Sequence, residues 1–138
     1  MSESKYEPKY ESEEQYNMDY KHTDAYQMAY DLSVYLHKKV QSFPKYEKFT
    51  LQKDIRESID NVMDEVEMYE KTNNASHIYA ADRQKSRLVR KIRLSYDLRY
   101  LDKKAYKYIS QEVGIMGACI GSLVNKAKAD KKLKRGSC

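Results

Sequence analysis

Arg83, Arg87, Arg90, Lys91 and Arg93 recur at helical spacing, and no other constellation in this chain offers as much chemistry. The planar fork of arginine bonds two phosphate oxygens at once, so a ladder of this kind on one helix face suits a polyanion. A second group, Lys126, Lys128, Lys131, Lys132, Lys134 and Arg135, is interrupted by a single anion, Asp130, and would add flexible contacts to a nucleic-acid backbone. Neutralising phosphates releases counterions, so such binding is expected to be strong at low salt and to fall steeply as salt rises. No helix-turn-helix, zinc finger or exposed aromatic platform is evident, so the expected partners are RNA and DNA with little sequence specificity. The competing expectation is that the ladder pairs with an acidic helix face, within or between subunits.

Other chemistries find less support. There is no P-loop, no Gly-x-Gly-x-x-Gly and no His-Glu-x-x-His. His22, His37 and His77 fall in different segments, and none has a Cys or His partner at metal-ligand spacing. Asp54, Glu57, Asp60, Asp64, Glu65 and Glu67 crowd one segment, but the Glu-x-x-His pairs of a di-metal bundle are missing, so they read as a solvated face. Cys119 and Cys138 form neither a disulfide framework nor a zinc site. The expectation is a non-enzymatic protein with no catalytic residues, no metal and no cofactor.

The elements that must position the cations follow from composition and periodicity. The chain has 138 residues with only 4 Gly and 2 Pro, which fits one all-α domain with short loops. No stretch approaches the roughly 20 apolar residues of a membrane span, and no signal sequence is present. A cytoplasmic protein with no membrane partner is therefore expected. The net charge of +5 is unevenly spread: residues 75–138 carry sixteen of the 26 cations and five of the 21 anions. Such asymmetry points to a polyanionic partner better than net charge does.

Residues 1–22 are acidic and Tyr-rich, with Tyr pairs repeating every ten residues through Tyr26 and Tyr30, and are expected to be a disordered extension. Residues 23–128 are expected to form an antiparallel four-helix bundle. Helix 1 is predicted over Asp24–Ser42, capped by Thr23 or Asp24, with Ala29, Leu32, Leu36 and Val40 as its stripe. Helix 2 is predicted over Thr50–Lys71, with Leu51, Ile55, Ile59, Val62, Val66 and Tyr69 buried. Helix 3 is predicted from Ala75 or Ser76 to Tyr100, burying Ile78, Ala81, Leu88, Val89, Ile92 and Tyr96. Leu94 and Leu98 fall on its opposite, basic arc and point to a subunit contact.

Asp102 is predicted to cap helix 4, running over Lys103–Lys128. Its apolar arc is Ala105, Ile109, Val113, Met116, Ile120, Leu123 and Ala127, and its far side holds Gly114, Gly117, Ala118 and Gly121. Glycine inside a helix costs about 1 kcal/mol relative to alanine, so close approach of another helix is expected at this bare face. The alternative is a helix break within 114–121. Residues 129–138 are expected to be a basic flexible tail.

Ser76-His77-Ile78-Tyr79-Ala80-Ala81-Asp82 resembles the Ser-x-Leu-Tyr-Ala-Ala-Asp stretch of the accessory variability determinant (Avd) proteins of diversity-generating retroelements. Glu112-Val113-Gly114 and Val124-Asn125-Lys126 resemble the corresponding helix of that family. The resemblance spans roughly residues 24–130, and the wider family includes four-helix-bundle proteins encoded in ribosomal RNA intervening sequences. It implies a barrel-shaped homopentamer that binds nucleic acid and acts as an accessory subunit of the element's reverse transcriptase. In that role it would bridge polymerase and template RNA or cDNA during mutagenic retrohoming, with the basic surface at Arg83, Arg87, Arg90, Lys91 and Arg93. The runner-up is a bundle of the intervening-sequence type, a structural or protein-interaction module without a polymerase partner. Near the family's second helix-4 glycine this chain has Ala118, flanked by Gly117.

Overall fold

The computed structural model describes residues 23–136, and side chains through Leu133. The predicted N-terminal extension over residues 1–22 lies outside the described residues. Four helices are present among these, with no strand: α1 (Asp24–Lys39), α2 (Leu51–Thr72), α3 (Ala75–Asp97) and α4 (Lys103–Gly136). Two 3₁₀ turns, Val40–Ser42 and Lys45–Glu47, join α1 to α2.

Helix termini are set by local hydrogen bonding. The Thr23 hydroxyl accepts from the Tyr26 amide, while the Thr23 amide donates to Glu70 at 2.7 Å and ties the start of α1 to the end of α2. Asn73 closes α2 in the left-handed region at φ 57°, a conformation asparagine tolerates. Asn74 then caps α3 by accepting from the Ser76 amide. Asp102 caps α4 as predicted, accepting from the Ala105 amide at 2.7 Å.

Cross-helix contacts fix the antiparallel order. Asp54 meets Arg87 and Glu65 meets His77 between α2 and α3. Tyr96 stacks on Tyr106 between α3 and α4. Tyr35 packs on Tyr108, and Met28 lies beside Cys119, between α1 and α4. The enclosed core takes every predicted stripe residue of α1 and α2. From the longer pair it takes Ile78, Ala81, Leu88, Ile92, Ala105, Ile109, Val113, Met116, Ile120 and Ala127.

Helix ends and core membership differ from the sequence reading at several points, the first being α1, which gives way to a 3₁₀ turn after Lys39. Helix α3 stops at Asp97, because Arg99 turns left-handed at φ 66° and the amides of Arg99 and Tyr100 bond back to Tyr96 and Ser95. Helix α4 passes through its glycines unbroken and continues beyond Lys128 to Gly136, so most of the expected tail segment is helical. Val89, placed in the core by periodicity, is 46 % exposed, because it sits at the edge of the arc that Leu88 and Ile92 centre.

The adjacent pair Leu88 and Val89 tests this rotation. Leu88→Ala is expected to cost about 2–5 kcal/mol, the range for a fully buried leucine. Val89→Ala should stay within about 0.5–1 kcal/mol, as for surface positions. Urea denaturation of both variants measures the contrast.

Candidate nucleic-acid interface

The basic ladder on α3 divides into two sets. Arg87 and Lys91, one helical turn apart, both reach the carboxylate of Asp54 on α2. Arg87 Nη2 is 3.2 Å from Oδ1, and Lys91 Nζ is 3.0 Å from Oδ2. Arg87 also lies 3.9 Å from Glu57. These groups are half-buried, and the pairing continues along the α2–α3 seam through Asn61 with Gln84 and Glu65 with His77. The ion pairing with the acidic face of α2, the competing expectation, thus holds for these two cations.

Arg83, Arg90 and Arg93 point outward and are exposed. Arg93 has Asp97 at 3.9 Å, but both side chains are largely solvated, so the pair is weak. Leu94 and Leu98 continue the outward stripe at 43 % and 45 % exposure. The exposed face is therefore mixed, with arginines toward the middle of α3 and leucines toward its C-terminus.

The C-terminal cations fall elsewhere. Lys126, Lys128, Lys131 and Lys132 are exposed near the end of the bundle that holds the α2–α3 turn. Lys134 and Arg135 lie on the last turn of α4. Gly117 packs under Lys85 of α3, so residue 126 lies level with the start of α3. At 1.5 Å per residue that is roughly 25 Å from Arg93. The two groups do not form one compact site, although an extended strand could touch both.

On α4, Gly114 and Ala118 are exposed, and Gly117 and Gly121 are partly covered. A Cβ at Gly114 or Gly121 would have no neighbour within 4 Å, and at Gly117 it would meet only the Lys85 side chain at 3.6 Å. Among the described residues, the close helix approach expected at this face does not occur. Between α3 and α4 lies a groove of about 290 Å³ lined by Lys85, Val89, Ile92, Tyr106, Val113 and Gly117.

Cations the sequence reading passed over lie at the opposite end of α4: Lys103, Lys104 and Lys107 are exposed beside Arg99. Their signal was four cations to one anion across residues 99–107. The acidic side of α2 is tense at Asp64, whose pKa is raised by desolvation and by the neighbouring charges of Asp60, Glu67 and Glu65. Among the described residues no group of three or more His, Cys, Asp or Glu could hold a metal ion. No helix among them is long and apolar enough to cross a membrane.

The sequence over residues 25–127 matches the family described as bAvd-like. Comparison with curated proteins gives no match.

The Asp54 pairing makes a direct prediction. Asp54→Ala should lower stability by roughly 1 kcal/mol, a partly solvated ion-pair effect. It should also tighten binding to a polyanion such as heparin, because Arg87 and Lys91 are released. Denaturation and heparin-column elution measure the two effects.

Proposed function

This chain belongs to the bAvd-like family, and from that premise we propose that it is a nucleic-acid-binding accessory subunit of a diversity-generating retroelement reverse transcriptase. The observation that carries the reading is the set of arginines left over after the acids of α2 are paired: Arg83, Arg90 and Arg93 face solvent on one helix. Guanidinium groups spaced along a rigid helix match a phosphate backbone in charge and in hydrogen-bond geometry. They read no bases there, so the protein follows backbone shape and charge. The lysines near the end of α4 extend contact along a longer strand. The bAvd-like family is not a known enzyme family, and in this reading the polymerase supplies the catalysis.

The reading includes self-association, with five subunits as the resemblance implies. Leu94 and Leu98 on α3, and Gly114, Gly117, Ala118 and Gly121 on α4, are the surfaces offered for it. Their support is physical: exposed leucines on a basic helix, and two helical glycines, Gly114 and Gly121, whose Cβ positions meet nothing among the described residues.

Fluorescence anisotropy with a labelled structured RNA, across roughly 50–300 mM salt, tests the binding. Replacing Arg83, Arg90 and Arg93 together by Glu should abolish binding, whereas Arg87→Gln should weaken it far less. Each lost phosphate contact lowers the salt slope by about 0.7–0.9. No binding by the wild type at the lowest salt overturns the nucleic-acid reading. Failure to co-purify with a retroelement reverse transcriptase would favour the intervening-sequence type of bundle.

A second test addresses assembly. Gly114→Ala with Gly121→Ala should raise the stability of the isolated subunit by about 1–2 kcal/mol, since a Cβ has open space at each of these helical positions. If the bare face is a subunit contact, the same double variant should dissociate at higher protein concentration in sedimentation velocity. Unchanged association would remove this face from the interface.

A further inference from the structure

At the end of the bundle where α1 turns into α2, two aromatic rings stand in solvent. Tyr46 is 76 % exposed and Phe49 is 78 % exposed, the most exposed of the large apolar side chains among the described residues. The sequence reading found no exposed aromatic platform, because the six residues between Pro44 and Leu51 carry no periodicity from which exposure could be read.

The loop that carries them is built, not loose. Tyr100, from the α3–α4 connection, donates its hydroxyl proton to Glu47 at 2.9 Å. Its oxygen then accepts from the Tyr46 hydroxyl, 3.1 Å away. The Thr50 hydroxyl also bonds Glu47, and the Tyr100 ring packs on buried Phe43 at 5.3 Å between centroids. Two loops are thereby pinned together, with both rings displayed on them.

Charge at this end is predominantly positive. Lys45 and Lys48 flank the rings, and Lys48 Nζ lies 5.5 Å from the Phe49 ring centroid. Arg99, Lys103 and Lys104 are exposed on the adjoining connection. The nearby anions are fewer: Glu47 is held in the bonds above and Asp102 caps α4, while Asp97 is exposed and only weakly paired with Arg93. Arg99 adds a second, independent sign. It occupies a left-handed position with φ 66° that closes α3, where glycine is the easier residue. A backbone conformation costly for arginine is a feature that often accompanies function.

We propose that this end of the bundle binds unpaired nucleotides, with bases stacked on Phe49 and Tyr46 and phosphates held by Lys45, Lys48 and Arg99. It rests on the nucleic-acid reading and deepens it, adding a subsite for single-stranded segments apart from the backbone-tracking arginines of α3. Isolated rings set among cations are the arrangement by which proteins hold single strands of RNA or DNA, since every base offers a π-face.

The test uses the full chain and two probes: a single-stranded oligoribonucleotide carrying 2-aminopurine, and a blunt hairpin duplex of equal length. Wild type should quench 2-aminopurine emission on binding. Phe49→Ala should weaken single-strand binding about five- to hundredfold, the range for one lost stacking contact, and should leave duplex binding unchanged. Phe49→Trp should restore or strengthen it. Tyr46→Phe, which keeps the ring, should bind as wild type. Arg99→Gly should weaken single-strand binding while the protein melts at the same or a higher temperature. Phe49→Ala affecting neither probe, or both equally, overturns the proposal. So does a Phe49→Ala protein that binds both probes normally but no longer holds the polymerase, which would make the rings a protein contact. Loss of duplex binding by wild type alone would sink the α3 reading, and the single-strand arm would still decide this one.

Discussion

One carboxylate sets the rotation of α3. Asp54 sits in the first turn of α2 and receives both Arg87 and Lys91. The apolar arc of α3 is broad, with Leu88 and Val89 side by side, so burial alone would tolerate a modest roll about the helix axis. Rolling toward Val89 would draw Arg87 and Lys91 away from Asp54. Burying a side chain such as Leu88 contributes about 1.5–3 kcal/mol, more than a half-solvated ion pair at about 1 kcal/mol or less. The hydrophobic term therefore supplies the stability, and the ion pairs select among orientations that would be nearly equal without them. That selection leaves Arg83, Arg90 and Arg93 in solvent and Val89 on the rim of the α3–α4 groove.

What was legible in the sequence follows from how strongly each feature is encoded along one helix. The stripes of α1 and α2 repeat without interruption, and every predicted member is buried. The Asp102 cap depends on four consecutive positions and was equally plain. The split within the basic ladder was not, because it depends on the position of Asp54 on another helix. Exposure of Tyr46 and Phe49 was not legible either, because their loop has no periodicity and is held by Tyr100, more than fifty residues further along the chain. The early end of α3 was hidden for a different reason: an arginine stands at the left-handed position where a glycine would have announced it.

The Ser76–Asp82 motif illustrates how family resemblance and function separate. Its Ile78 and Ala81 are fully buried, and its Asp82 lies 3.6 Å from Lys85 on the same helix. The motif starts α3 and seats it on the core. The exposed arginines begin at the next residue, Arg83, and extend about three turns further along, to Arg93. The resemblance and the proposed binding surface therefore draw on different residues of one helix.

The glycines of α4 press the same distinction further. Three glycines inside a helix cost about 3 kcal/mol against alanine, a large fraction of the stability of a small domain. Such a cost is ordinarily offset by close backbone approach. Here Gly114 and Gly121 have open space where a Cβ would stand, and Gly117 faces only the flexible end of Lys85. Within the single chain alanine would fit at all three positions and would strengthen the helix. No described residue of the subunit supplies that compensation, which is the physical support for the proposed self-association. A helix from another subunit is the simplest source, because the absence of Cβ atoms over two turns lets backbones approach more closely than alanine allows. The same helix continues to Gly136 and carries exposed lysines near its C-terminal end. Packing α4 helices against one another through this face would gather those lysines from several subunits. Charge that is dispersed on the monomer would become concentrated in the assembly.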